Sequence, residues 1–291
     1  MSAEAGQGLS AIRDYINKMP SLPTTVSKIL EICNDPKTSP ADLNRVISLD
    51  PVLMGKVMKL INSAYYGVSQ QITSLVRAII MLGINTVKNL ALSTAVLGNL
   101  ANEKDFRALN MEGFWRHSLC VGVTAKLIAI KRRVDSKMLE EFFMAGLLHD
   151  LGKIPLNDRL SEQYVRAMGV SDRENISLYR AERSEIGADH ADVGRFIMEN
   201  WKLGGEITDC VAYHHSAGGY EGEHKEIVYT VAVSNYFANV SEIGFAGDRY
   251  PERPEDDLFT FLGISLDWLD EIADTVTSEI EKARVFLRVS V

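Results

Sequence analysis

An all-helical fold is what this sequence predicts, and three observations predict it. Apolar residues recur at i, i+3, i+4 and i+7 along most of the chain, which is the period of one helix face. Cap residues and glycines punctuate that pattern at short intervals. No run alternates apolar and polar residues as a half-buried strand would. Short helices joined by short turns pack as an orthogonal bundle.

Taken in order, the small polar start MSAEAGQG reads as a disordered tail over residues 1–8. Val26, Ile29, Leu30 and Cys33 then form a helical stripe after Pro23. Ser39-Pro40-Ala41-Asp42 is a helix start, with serine as cap, proline in the first turn and an acid at the positive end of the dipole. Asp50-Pro51 repeats that signal ahead of Met54, Val57, Met58 and Ile61. Ser74 opens a helix that Gly83 closes, and another covers Thr86–Leu100. Longer helices are expected over Glu112–Lys131 and Lys137–His149, then a polar stretch of weak periodicity from Asn157 to Leu178. Helices resume over Arg183–Trp201, Gly205–His215 and Lys225–Val240. Gly244–Pro254, rich in glycine, proline and charge, reads as a linker or surface loop, and two helices follow near Pro254–Leu262 and Ser265–Leu287.

Composition narrows the function. The chain has 291 residues, 46% of them hydrophobic and 24% charged, enough to bury a sizeable core. Its formal charge of −8 and the lack of any Lys/Arg-rich run disfavour nucleic acid as a partner. No apolar run is long enough to span a bilayer, and no signal peptide is expected. Cys33, Cys120 and Cys210 are odd in number and far apart, without a CxxC pair. They suit buried thiols in a reducing cytoplasm.

The chemistry lies in the histidines. Five of the six fall between residues 117 and 215. His117 shares a stripe with Phe114, Val121 and Ile128; His149 with Leu139, Phe142 and Gly146. His190 joins Ile186, Val193 and Ile197, and His214 joins Ile207, Cys210 and Val211. Asn235 occupies the equivalent place between Ile227, Val231 and Ala238. One polar side chain thus stands on the apolar face of each of five helices. A buried polar group without a partner costs about 1–3 kcal/mol, so four scattered orphans would consume much of a stability of about 5–15 kcal/mol. The less costly arrangement gathers them around one another or around a cation. Asp150 beside His149, and His215 beside His214, stand where helices finish, so both members of each pair can turn to one point. Nitrogen and carboxylate donors without thiolate suit iron, manganese or zinc. His224, in the charged run Glu221–Glu226, reads as solvated surface.

The run Gly146-Leu147-Leu148-His149-Asp150-Leu151-Gly152-Lys153 resembles the signature of the HD superfamily of metal-dependent phosphohydrolases. The order His117, His149-Asp150, His190, His214-His215 is similar to its HD-GYP branch, which hydrolyses cyclic dinucleotides. That resemblance implies one divalent ion on His117, His149 and Asp150, and a second on Asp150, His190, His214 and His215. It also implies Asp150 as the bridging carboxylate and Lys153 as the contact to substrate phosphate. Met19-Pro20-Ser21-Leu22-Pro23, Asp50-Pro51-Val52-Leu53, Asn62-Ser63-Ala64-Tyr65-Tyr66-Gly67 and Ala78-Ile79-Ile80-Met81-Leu82-Gly83 resemble the HDOD domain, a bacterial signalling module. The likeness implies an N-terminal HDOD helical half over 9–108, an HD-type half over 109–243, and a C-terminal loop and helices over 244–291 packing on the body. It implies one or two ions, iron or manganese first and zinc next. The expected partner is a signalling protein or a small phosphate-containing ligand. Two positions depart from the HD-GYP pattern. Asn235 stands where that branch has an aspartate, and its Gly-Tyr-Pro loop is reduced to Gly219-Tyr220-Glu221.

Overall fold

The computed structural model describes residues 3–19, 21–100 and 108–290, and every regular element among them is helical. Residues 1, 2, 20, 101–107 and 291 lie outside the described residues; they include part of the expected tail, Pro20 of the first HDOD-like motif, and much of the expected junction at 108.

Local chemistry accounts for the first half. Helix α1 (Ala3–Lys18) occupies most of the stretch expected as a tail. Alanine, glutamate and glutamine outweigh the two glycines there as helix formers. After α2 (Thr24–Cys33), helix α3 (Pro40–Ile47) begins on a full capping box between Ser39 and Asp42. In α4 (Pro51–Ile61) the Asp50 side chain accepts the Leu53 N–H at 2.9 Å. Asn62 then pins the turn, donating to the carbonyls of Met58 and Ile72 and accepting the Ile72 N–H at 2.7 Å. Helices α5 (Leu75–Leu82) and α6 (Ile84–Leu100) complete this half.

The second half is built on α7 (Met111–Lys131) against α8 (Leu139–Leu148). These helices cross very closely. A Cβ on Gly146 would stand 2.7 Å from the Gly122 backbone. Next come α9 (Lys153–Arg159) and α10 (Ser161–Glu174), in the stretch where the sequence shows only weak periodicity. The single helix expected over Arg183–Trp201 is two, α11 (Leu178–Ile186) and α12 (His190–Asn200). Gly187 at φ 85° ends the first, and a capping box between Asp189 and Asp192 starts the second. Helices α13 (Gly205–Tyr213) and α14 (Lys225–Val240) pack on α8, and α14 also covers α7. After α15 (Asp256–Leu262), the helix expected over Ser265–Leu287 is three: α16 (Leu266–Glu271), α17 (Ala273–Ala283) and α18 (Val285–Ser290).

One continuous apolar core runs through both halves. The chain ends cross it. Helix α1 packs on α9, α11 and α12 of the second half, while α18 packs on α4 and α6 of the first. Tyr65 is wedged between Phe143 and Phe286, ring centroids 5.3 and 5.1 Å away, and accepts a hydrogen bond from Lys126. Tyr65 and Tyr66 are therefore a packed helix end. Among the described residues no single helix is long and apolar enough to cross a membrane. Helices α5 and α6 meet the length and composition only as a pair bent by 117°.

Candidate metal centre

Three helix ends and two helix faces meet in the second half. His149 and Asp150 follow the last turn of α8, and Gly152 lets α12 approach them. A Cβ on Gly152 would fall 1.9 Å from the His190 carbonyl oxygen, so this glycine sets the distance between Asp150 and His190. His190 is the first residue of α12, and His214 and His215 follow α13. His117 and Asn235 project from the middle of α7 and α14. All eight residues expected at the site, Lys153 included, are thus brought together, and all but the half-buried His215 are buried.

Their donor atoms form two groups of three that share one neighbourhood: His117, His149 and Asp150, and His190, His214 and His215. Asp150 lies between them. Its Oδ2 is 3.3 Å from His149 Nε2 and 3.6 Å from His117 Nε2. Its Oδ1 is 3.1 Å from His190 Nε2 and 3.7 Å from His214 Nε2. His190 Nε2 is also 3.2 Å from His214 Nε2 and 2.9 Å from His215 Nε2. Lys153 Nζ donates to Asp150 Oδ2 at 2.7 Å and is 2% exposed.

The outer hydrogen bonds settle which ring nitrogens carry protons. His149 Nδ1 lies 2.7 Å from the Gly146 carbonyl, and His214 Nδ1 lies 2.9 Å from that of Val211. A carbonyl only accepts, so both Nδ1 atoms are N–H donors. His190 Nδ1 donates to the Glu182 carboxylate at 2.6 Å. In the neutral rings the Nε2 lone pairs of His149, His190 and His214 therefore point inward, at one another and at Asp150. His149 Nε2 and Asp150 Oδ1 are buried and receive no hydrogen bond. Lone pairs facing lone pairs at about 3 Å repel unless a positive charge stands between them. Asn235 differs. Its Oδ1 accepts from Asn239 Nδ2 at 3.0 Å and lies 3.0 Å from His117 Nε2. An amide oxygen only accepts, so in the metal-free chain that ring nitrogen carries the proton, and the buried Nδ1 of His117 has no partner among the described residues.

The titration of these groups follows the same logic. Burial holds His117 down to about 3, and pushes His214 and His215 well below the ordinary histidine value. These rings are neutral donors. Burial raises Asp150, but the nearby His149, Lys153 and His190 outweigh it and hold the carboxyl well below its usual range. For His190, burial lowers the value, yet Glu182 and Asp150 outweigh burial and Lys153 to raise it to about 9. The metal-free cluster thus captures one proton where a cation fits. The donor set, all imidazole and carboxylate oxygen, fits a divalent metal.

Two buried carboxylates of this neighbourhood are not apparent in the sequence. Glu182 on α11 accepts both the Nδ1–H and, at 2.8 Å, the backbone N–H of His190. The sequence reading joins its helix to the next, which hides this back-contact. Asp248 lies in the segment read as a surface loop, yet it is 5% exposed and Ala246 is fully buried. His224, read as solvated, is only half-exposed. Its Nδ1 meets Asp209 Oδ2 at 2.8 Å, and that carboxylate also accepts from Tyr220, tying the reduced Gly-Tyr-Glu segment to α13.

The HDOD domain family model matches residues 19–217, about two thirds of the chain. The chain belongs to the HDOD family. Its fold is similar to the crystal structure of an HDOD domain protein of unknown function from Geobacter sulfurreducens, at a TM-score of 0.73 and 26% identity over 96% of this chain and 97% of that one. A protein of Shewanella amazonensis provisionally described as a phosphohydrolase shares the fold at a TM-score of 0.70 and 18% identity, over 97% and 98% of the two chains. An uncharacterized protein of Treponema pallidum is 25% identical over 94% of this chain. The chain spans about half, 52%, of that relative's length. The HDOD match begins at Met19 and ends at Ala217, just past the His214-His215 pair. Asp248 and the C-terminal helices lie beyond it.

Proposed function

We propose that this HDOD protein is a signal-transduction module whose retained HD-type centre binds a divalent metal, and that the module acts by binding a partner protein or a small phosphate-containing ligand rather than by turnover. The observation that carries this reading is the inward convergence of the Nε2 atoms of His149, His190 and His214 on Asp150, each ring's Nδ1 being spent on an outer acceptor. His117, His149, Asp150, His190, His214 and His215 would hold the metal, which is iron, manganese or zinc by donor type. Asn235 offers an oxygen without charge.

The surroundings support binding over hydrolysis of a large substrate. The cavity beside His214, His215 and Asn235 has a volume of about 80 Å³. Sites for drug-sized ligands run to about 300–1,000 Å³. Asp248, Glu252 and Glu255 line it, and Arg253 is engaged by Asp256 at 2.6 Å. A phosphohydrolase remains the second reading because Lys153 stands beside Asp150. A bound divalent metal would supply Lewis-acid polarisation of a phosphoryl oxygen, and Lys153 would steady charge developing on the phosphate.

The test is a paired measurement on freshly purified protein: metal content, and cleavage of cyclic dinucleotides, nucleotides and a chromogenic phosphodiester. Metal without turnover is expected. Robust turnover that disappears in His149→Ala would overturn the regulatory reading in favour of the hydrolase.

A further inference from the structure

Helix α14 leaves the centre short of one negative charge, because Asn235 is an amide. The loop that follows that helix returns to the same place. Phe245 donates its backbone N–H to the Gly113 carbonyl at 2.9 Å, on the helix that carries His117. Three residues on, Asp248 lines the same cavity as His214, His215 and Asn235. Its Oδ1 accepts the backbone N–H groups of Leu178 and Tyr250, at 3.3 and 3.2 Å. Its Oδ2 accepts no hydrogen bond among the described residues.

We propose that Asp248 supplies the negative charge that Asn235 lacks, so that the metal centre's charge is completed from this loop instead of from α14. This inference rests on the metal-binding reading. Metal binding displaces the proton on His190, and with the ligating imidazoles neutral the buried carboxylates of Asp150, Glu182 and Asp248 stand against one buried cation, Lys153. Two negative charges are left over, the charge one divalent ion cancels. Without Asp248, the same ion would leave the interior positive, and an unbalanced buried charge is costly. Burial raises the Asp248 carboxyl above its usual range in the metal-free chain, with Lys153 first among the groups that oppose the rise. The other acids of the cavity are placed differently. Glu252 is engaged by Ser177, Tyr179 and Arg180, and Glu255 is exposed.

Asparagine at 248 can accept both backbone hydrogen bonds, so Asp248→Asn removes charge while keeping the loop's ties. The experiment titrates metal-stripped full-length chain with Mn²⁺, and separately Zn²⁺, against a chromophoric chelator, and records melting of the metal-free forms. Asp248→Asn is expected to weaken affinity about tenfold or more, the usual effect of removing an outer carboxylate, without lowering the metal-free melting point. Asn235→Asp should recover most of that loss in the Asp248→Asn background. Alone, it should change wild-type affinity less than about threefold, on the same scale. Wild-type affinity in Asp248→Asn, or a tenfold gain from Asn235→Asp alone, overturns the proposal. The Asn235→Asp arm decides the question even if Asp248→Asn fails to fold. Wild-type chain that takes up neither ion overturns the metal reading itself, and this inference with it.

Discussion

Glu182→Gln is the substitution that most sharply tests how the centre is held. The carboxylate accepts two hydrogen bonds from one residue, from the His190 ring at 2.6 Å and from its backbone N–H at 2.8 Å. Glutamine keeps the shape and one acceptor oxygen but removes the charge. A hydrogen bond to a charged group contributes about 1.5–3 kcal/mol, against about 0.5–1.5 kcal/mol for a neutral one. Over the two bonds the metal-free chain should therefore lose about 2–3 kcal/mol, or roughly 4–9 °C in melting temperature for a chain of this size. Metal affinity should fall about ten- to a hundredfold, which is about 1.4–2.8 kcal/mol, because Glu182 makes His190 Nε2 more basic. A pH signature accompanies these losses. His190 in the metal-free chain is raised from 6.5 to about 9, so its contribution is fully present below pH 6.5 and disappears as pH rises through about 9. The substitution should flatten the stability of the metal-free protein across that window. The assays are chelator competition and melting curves from pH 6 to 10. Wild-type affinity together with an unchanged pH profile would refute the reasoning.

Three further outcomes are expected. Burial holds His117 down to about 3, so the unfolded chain takes up that proton first, and stability falls as pH drops from 6.5 toward 3. Melting curves of metal-stripped protein should show this, and His117→Gln should flatten it; an unaltered acid limb would contradict the assignment. Gly152→Ala places a methyl 1.9 Å from the His190 carbonyl, so it should destabilise by roughly 3 kcal/mol or more and abolish metal uptake. Normal melting and uptake would show that α12 can move away at little cost. Asn62→Ala removes three hydrogen bonds that close the turn after α4, and should cost about 2–4 kcal/mol in denaturant unfolding. A loss under about 0.5 kcal/mol would mean that water replaces them.

Which parts of this protein the sequence makes legible depends on how local the physics is. The starts of α3 and α4 were readable because a cap and its partner lie within four residues, as Ser39 with Asp42 and Asp50 with Leu53. The imidazole cluster was readable because each histidine interrupts an apolar stripe, and burial follows from the stripe alone. Glu182 and Asp248 give no such signal. Glu182 sits in the polar run Arg180–Glu185 and is buried only because the chain turns back at Gly187. The four-residue spacing of Ile186 and His190 fits a continuing helix just as well. Asp248 sits among glycine, proline and charge, and its burial comes from contacts with α7 and α11 that lie far away in sequence. Helix α10 was indistinct for a related reason. Its apolar face packs partly into a small satellite cluster of Ala167, Val170 and Ala181, so few large apolar residues mark its period. The C-terminal helices divide at Ile272 and Arg284, where neither glycine nor proline announces a break.

The account stands on a cation shared between Asp150 and the imidazoles that surround it. Anomalous diffraction measures this directly, using crystals of chain purified without chelator and data on both sides of the manganese, iron and zinc absorption edges. The account predicts an anomalous peak within coordinating distance of Asp150 and His190. A map without such a peak, from protein soaked in each of the three metals and with the rings hydrogen-bonded to one another, would contradict it.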